Sequence, residues 1–121
     1  MTFRFAFIFV LIASCSGYEF YPISHVQCTS SGGSGTITLR PQIRQKVNHN
    51  LYLKITGQVV GECEIGFGYT DSTFYAPKYF KDGKIDFEYN SDWYADSCYV
   101  IYKLRSDSKI SLNIDYRFCC D

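Results

Sequence analysis

The chain has 121 residues, with 12 acidic and 12 basic side chains and a formal net charge of zero. That length gives one domain, and a balanced charge excludes the strongly basic surface that marks a nucleic-acid binder. The charge is unevenly placed, however. No acid stands between Phe20 and Gly61, whereas eight stand between Glu62 and Asp96.

Arg4 is the only charge near the start, and an unbroken apolar run from Phe5 to Ala13 follows it. Ser14, Cys15, Ser16 and Gly17 come next. A charged start, a short apolar centre and small residues form the layout of a secretory signal. The run is too short for a bilayer span, which needs about 20 apolar residues. Cleavage fits after Cys15, Ser16 or Gly17, and best after Gly17. Residues 1–17 are therefore read as a removed signal and residues 18–121 as one secreted, extracellular domain without a membrane span. The Ile12–Cys15 stretch also fits a lipobox, which would leave a lipid anchor on Cys15 and the fold unchanged.

His25, Val26 and Cys28 lie on the first predicted strand, and the stretch Ser30–Gly35 reads as a flexible loop. Asn48-His49-Asn50 is a turn. Leu51, Leu53 and Ile55 alternate with polar residues, and Ile65, Phe67 and Tyr69 alternate with glycines. That period of two marks strands with one buried face. Phe74–Phe80 and Lys84–Tyr89 flank Asp82-Gly83, a strong hairpin signal. Ser97–Arg105 is apolar on both sides at its centre, as a central strand would be. Ser106-Asp107-Ser108 then predicts a hairpin loop before the alternating strand Ile110–Phe118. The pattern predicts an all-β fold: a small antiparallel β-sandwich of seven or eight strands, or alternatively a small closed barrel.

Removing Cys15 with the signal leaves five cysteines, and an oxidising compartment makes them disulfide candidates. By strand parity Cys28, Cys63, Cys98 and Cys120 face the core, which predicts two disulfides among them in any of three pairings. Cys119 has the opposite parity. It is the candidate for a free thiol or for an intermolecular bond that would make a covalent homodimer.

Little else points to chemistry. His25 and His49 could serve a small hydrolase together with nearby carboxylates, but nothing in their spacing brings them together. A His25-x-x-Cys28 spacing falls short of the four ligands of a zinc site, so neither metal nor other cofactor is expected. The aromatic load is the remaining feature. Trp93 and Tyr94 fall in a predicted loop beside acids and amides, as residues that stack on glycans or anchor a protein partner do. The sequence thus reads as an extracellular binding protein for a protein or glycan, with a secreted hydrolase and a cross-linked structural component as alternatives.

Overall fold

The computed structural model describes residues 22–41 and 50–119, and of residues 73–76 the backbone alone. The predicted signal, including Cys15, lies outside the described residues, as do His49 and Cys120. The described secondary structure is all β: β1 (Ser24–Leu39), β2 (Asn50–Thr70), β3 (Thr73–Asp92) and β4 (Cys98–Cys119). These strands form one open antiparallel sheet in the order β1-β4-β2-β3. The all-β expectation holds, but the expected sandwich of seven or eight strands does not, nor does the closed barrel, because the described strands form one open sheet. The described residues form four strands, each of 16 to 22 residues.

The correction has one cause, repeated in every strand. Asp82-Gly83 does not reverse the chain. β3 runs through it, with Gly83 opposite Val59 and Lys81 opposite Glu62 on the same neighbour. Ser106–Ser108 likewise lies inside β4, whose Leu104 and Lys109 pair with Cys63 and Val60 of β2. The supposed loop Ser30–Gly35 belongs to β1, where the register shifts between Ser31 and Gly33. At each apparent turn the register shifts without the strand ending: the extra residues lie on β4 against β1 and β2, and on β2 against β3, as β-bulges that bend the sheet. The one tight reversal among the described strands joins β2 to β3 at Asp71-Ser72, between the paired residues Thr70 and Thr73.

These register shifts line up across the sheet and form a crease. Phe67 and Tyr89 show how far it folds. Tyr89 is the cross-strand partner of Leu53, and Phe67 stands fourteen residues beyond Leu53 on β2. A straight strand would separate them by roughly 45 Å at ~3.3 Å per residue. Their ring centroids are 4.8 Å apart. The Tyr116 hydroxyl, at the far end of β4, also donates to the Arg40 carbonyl just past the end of β1, at 3.0 Å. The sheet is therefore doubled over, with its halves packed face to face. Every strand crosses the crease, so the order β1-β4-β2-β3 recurs in both halves.

Doubling the sheet creates the core. Leu51, Leu53, Ile55, Ile65, Ile85, Val100, Leu112 and Ile114 are all sealed from solvent, in one apolar cluster. Burying each such side chain contributes roughly 1.5–3 kcal/mol. The alternation expected of residues 51–55 and 110–118 is observed, and Val100 and Ile101 are both buried on the central strand β4. Glycine makes the crease possible. Gly57 (φ 152) and Gly61 (φ 96) occupy backbone conformations that L side chains rarely adopt. A Cβ on Gly57 would collide with the Ser111 carbonyl, and one on Gly61 with the buried Ser108 side chain. That serine is itself used, since its Oγ accepts the Glu62 backbone N–H at 2.8 Å.

Alanine at Gly57 is expected to lower stability by about 2–4 kcal/mol, because backbone strain and a backbone collision act together. Alanine at Gly33, which has a positive φ but open space around it, should cost only about 1 kcal/mol. Urea unfolding of the two variants measures the difference, and equal losses would refute the role given to Gly57.

Candidate binding surface

The loop 93–97 carries the chain from the end of β3 in one layer to the start of β4 in the other. Trp93, expected on a contact surface, is only 1% exposed. Its ring stacks on Tyr69 at 4.1 Å and lies 5.8 Å from Phe67 and 6.1 Å from Tyr89. Its indole N–H donates to the Ser97 carbonyl at 2.9 Å. The tryptophan therefore plugs the open end of the doubled sheet, and the expectation that it contacts a ligand is corrected. Tyr94 stays outside, 68% exposed, with its backbone N–H donating to the Tyr69 hydroxyl at 3.3 Å.

Cys28, Cys63 and Cys98 carry free thiols. Gly68 lies opposite Tyr99 and Cys63 opposite Leu104, so Cys98 stands about six positions along the sheet from Cys63. That is roughly 20 Å, against a Cα separation of at most ~7 Å for a disulfide. A Cys63–Cys98 bridge does not fit this fold. Burial pushes the Cys63 thiol up to about 11 and the Cys98 thiol up to about 12, which makes both poor nucleophiles. Cys119 is half-buried at the end of β4, opposite Asn50.

His25 stands on an outer face, where its Nδ1 meets the carboxylate of its cross-strand partner Asp115 at 2.5 Å. The next outward pair on the same strands, Gln27 and Asn113, is joined by a 3.1 Å hydrogen bond. Lys54 follows Asp115 across the sheet, and Glu88 follows Lys54. Basic and acidic side chains from different stretches of the sequence thus alternate along this one row. His25 lies on an open face with a side chain 71% exposed, and no wall there would hold a substrate. Among the described residues no three His, Cys, Asp or Glu side chains converge as metal ligands would. Among the described residues no helix is long and apolar enough to cross a membrane.

A concavity forms where the sequence gave no signal. Beside the crease, Glu62, Cys63, Glu64, Tyr79, Lys103, Leu104 and Arg105 line an open cleft of about 290 Å³. Tyr79 is 61% exposed, and its hydroxyl donates to the Glu62 carboxylate. Arg105 Nη1 lies 3.5 Å from the same carboxylate. The Tyr79 hydrogen bond, helped by the Arg105 and Lys81 charges and opposed by partial desolvation, holds the Glu62 carboxyl below its usual range. The same bond raises the Tyr79 phenol. The cleft therefore presents two acidic side chains, Glu62 and Glu64, two basic ones, Lys103 and Arg105, and a phenol ring fixed at its hydroxyl.

No family model and no curated protein matches the sequence. Among solved structures, the chain is similar to one described as "Bacillus endospore appendages form a novel family of disulfide-linked pili", with a TM-score of 0.47 and 14% identity. The match covers 87% of this chain and 96% of that one. A likeness of this extent assigns neither fold nor function.

Two outcomes are expected. Trp93→Ala should lose about 3–5 kcal/mol of stability, and Tyr94→Ala less than about 0.5, by chemical denaturation. A collapsed Tyr94 variant would overturn that assignment. Stability should also fall as pH rises above about 9. Between the ordinary thiol value of 9.0 and the raised value of about 11, the unfolded chain has released the Cys63 proton and the folded chain has not. Midpoints of urea unfolding at alkaline pH, compared with Cys63→Ala, measure this. An equally steep fall in the variant would show that the thiol is not responsible.

Proposed function

We propose that the chain is a small extracellular binding protein that presents the cleft around Tyr79 to a glycan. One observation carries this reading. Tyr79 keeps an exposed ring face while its hydroxyl is tied to Glu62 on the wall of an open, polar cleft. Sugars are bound by an aromatic face for the C–H bonds of the ring and by fixed donors and acceptors for the hydroxyls. Glu62 supplies the acceptor, and Arg105 and Lys103 supply donors.

The cleft is too open to desolvate a protein side chain as a hot-spot pocket does, which places a glycan ahead of a protein ligand. Secretion through the signal expected in residues 1–17 would bring the domain to such ligands. The hydrolase alternative rests on His25 or His49; His49 lies outside the described residues, and His25 has in Asp115 an orienting carboxylate. An acid–base pair on a flat, solvated strand face has nothing to position a reacting bond, and this reading ranks second. The cross-linked component requires Cys119 to bond another chain, and mass mapping of disulfides in the secreted protein decides it.

A glycan array probed with the wild-type chain and with the Tyr79→Ala and Arg105→Ala variants tests the proposal. Binding should fall at least about tenfold in each variant, as expected when a stacking ring or a charge-assisted donor is removed. The Tyr94→Ala variant should bind like wild type. Failure of the wild type to retain any glycan, or equal binding by all variants, would overturn it.

A further inference from the structure

We propose that two copies of the chain join through β1, edge to edge and antiparallel, so that the sheet runs on from one copy into the other. Among the described residues β1 pairs only with β4. Its other edge offers a row of backbone N–H and C=O groups to any extended strand. Proteins normally guard such an edge with lysine, proline or charge that would be buried on pairing. The two edges of this sheet differ sharply in that respect. β3 carries Pro77, Lys78, Lys81, Asp82, Lys84, Asp86, Glu88 and Asp92. β1 reads SHVQCTSSGGSGTITL and holds no Asp, Glu, Lys, Arg or Pro at all.

That contrast selects the partner. A head-to-tail contact would press β1 against the guarded β3 edge and would propagate into an open filament. A β1–β1 contact is the same surface on both copies and closes on itself. Two uncharged strands meet without like-charge repulsion, whereas a β3–β3 contact would set several lysines and carboxylates against their own kind.

Strand parity then fixes the register closely. Directly opposed residues in an antiparallel pair share a face. A copy paired along Ser24–Ser31, the stretch before the bulge, must keep Val26 and Cys28 on the core side in both chains. The two-fold axis therefore passes through Gln27 or Cys28. In either case the exposed outward residues His25, Gln27 and Thr29 form the seam on the outer face.

The test is a charge swap on the seam. Sedimentation at high micromolar concentration should show a wild-type dimer. The double variants Gln27→Lys/Thr29→Lys and Gln27→Asp/Thr29→Asp should each weaken dimerisation at least about tenfold through like-charge contact. Mixing the two variants should restore a dimer. Unchanged thermal midpoints extrapolated to low concentration show that the variants still fold. A monomeric wild type, dimers that survive in either double variant, a mixture that fails to reassociate, or open-ended oligomers would each overturn the proposal. Glycan binding at the Tyr79 cleft is independent of every one of these outcomes.

Discussion

A single sheet has two faces and, in water, nothing to cover either. Among the described residues of this chain no helix and no second sheet supplies a cover, so the sheet must cover itself. All four strands therefore have to bend at the same level, and one misplaced bulge would throw the inward residues of a strand to the outside. The Gly61 region shows how closely this is enforced. The Gly61 N–H donates to Asp82 on β3 at 2.7 Å, and the next N–H, from Glu62, donates to Ser108 on β4. The bulge of β2 is thereby clamped to both neighbouring strands, and the backbone donors that the interrupted ladder would otherwise leave unpaired are satisfied.

Core and surface both follow from the doubled sheet. The Phe67–Tyr89 and Tyr69–Trp93 contacts exist only because the layers meet, and the Tyr79 cleft exists only because the outer surface is indented beside the bend. A flat sheet with the same side chains would show neither. The chemistry of the cleft is local in sequence terms, Glu62 to Glu64 and Lys103 to Arg105, but those segments are neighbours only through the β2–β4 register.

Part of this was legible in the sequence. The alternation of Ile110, Leu112, Ile114, Tyr116 and Phe118 states which face is buried, and the structure agrees. Ser97–Arg105 was readable as a central strand because Val100 and Ile101 are apolar on opposite faces. The strand count was not legible. Asp82-Gly83 serves a bulge as well as it serves a hairpin, since both need residues that tolerate positive φ. Whether the chain reverses there depends on whether β2 continues alongside it, and local sequence does not contain that. Trp93 was misread for a related reason. It does lie in a loop, but the direction of its ring is set by Tyr69, on a different strand. Tyr79 gave no signal because Pro77 and the bulge break the parity that would have placed it outside.

The strand order also governs when the domain can come into being. β1 is made first, and its partner β4 is made last. Until the final twenty or so residues have been synthesised, the first strand has no neighbour on either side, and β2 has only one. Contacts between the ends of a chain are slow to form because the intervening loop must close. The nascent protein must therefore pass through a period in which an uncharged, proline-free strand waits unpaired. Loss of the C-terminal strand therefore takes away the one partner that β1 has among the described strands.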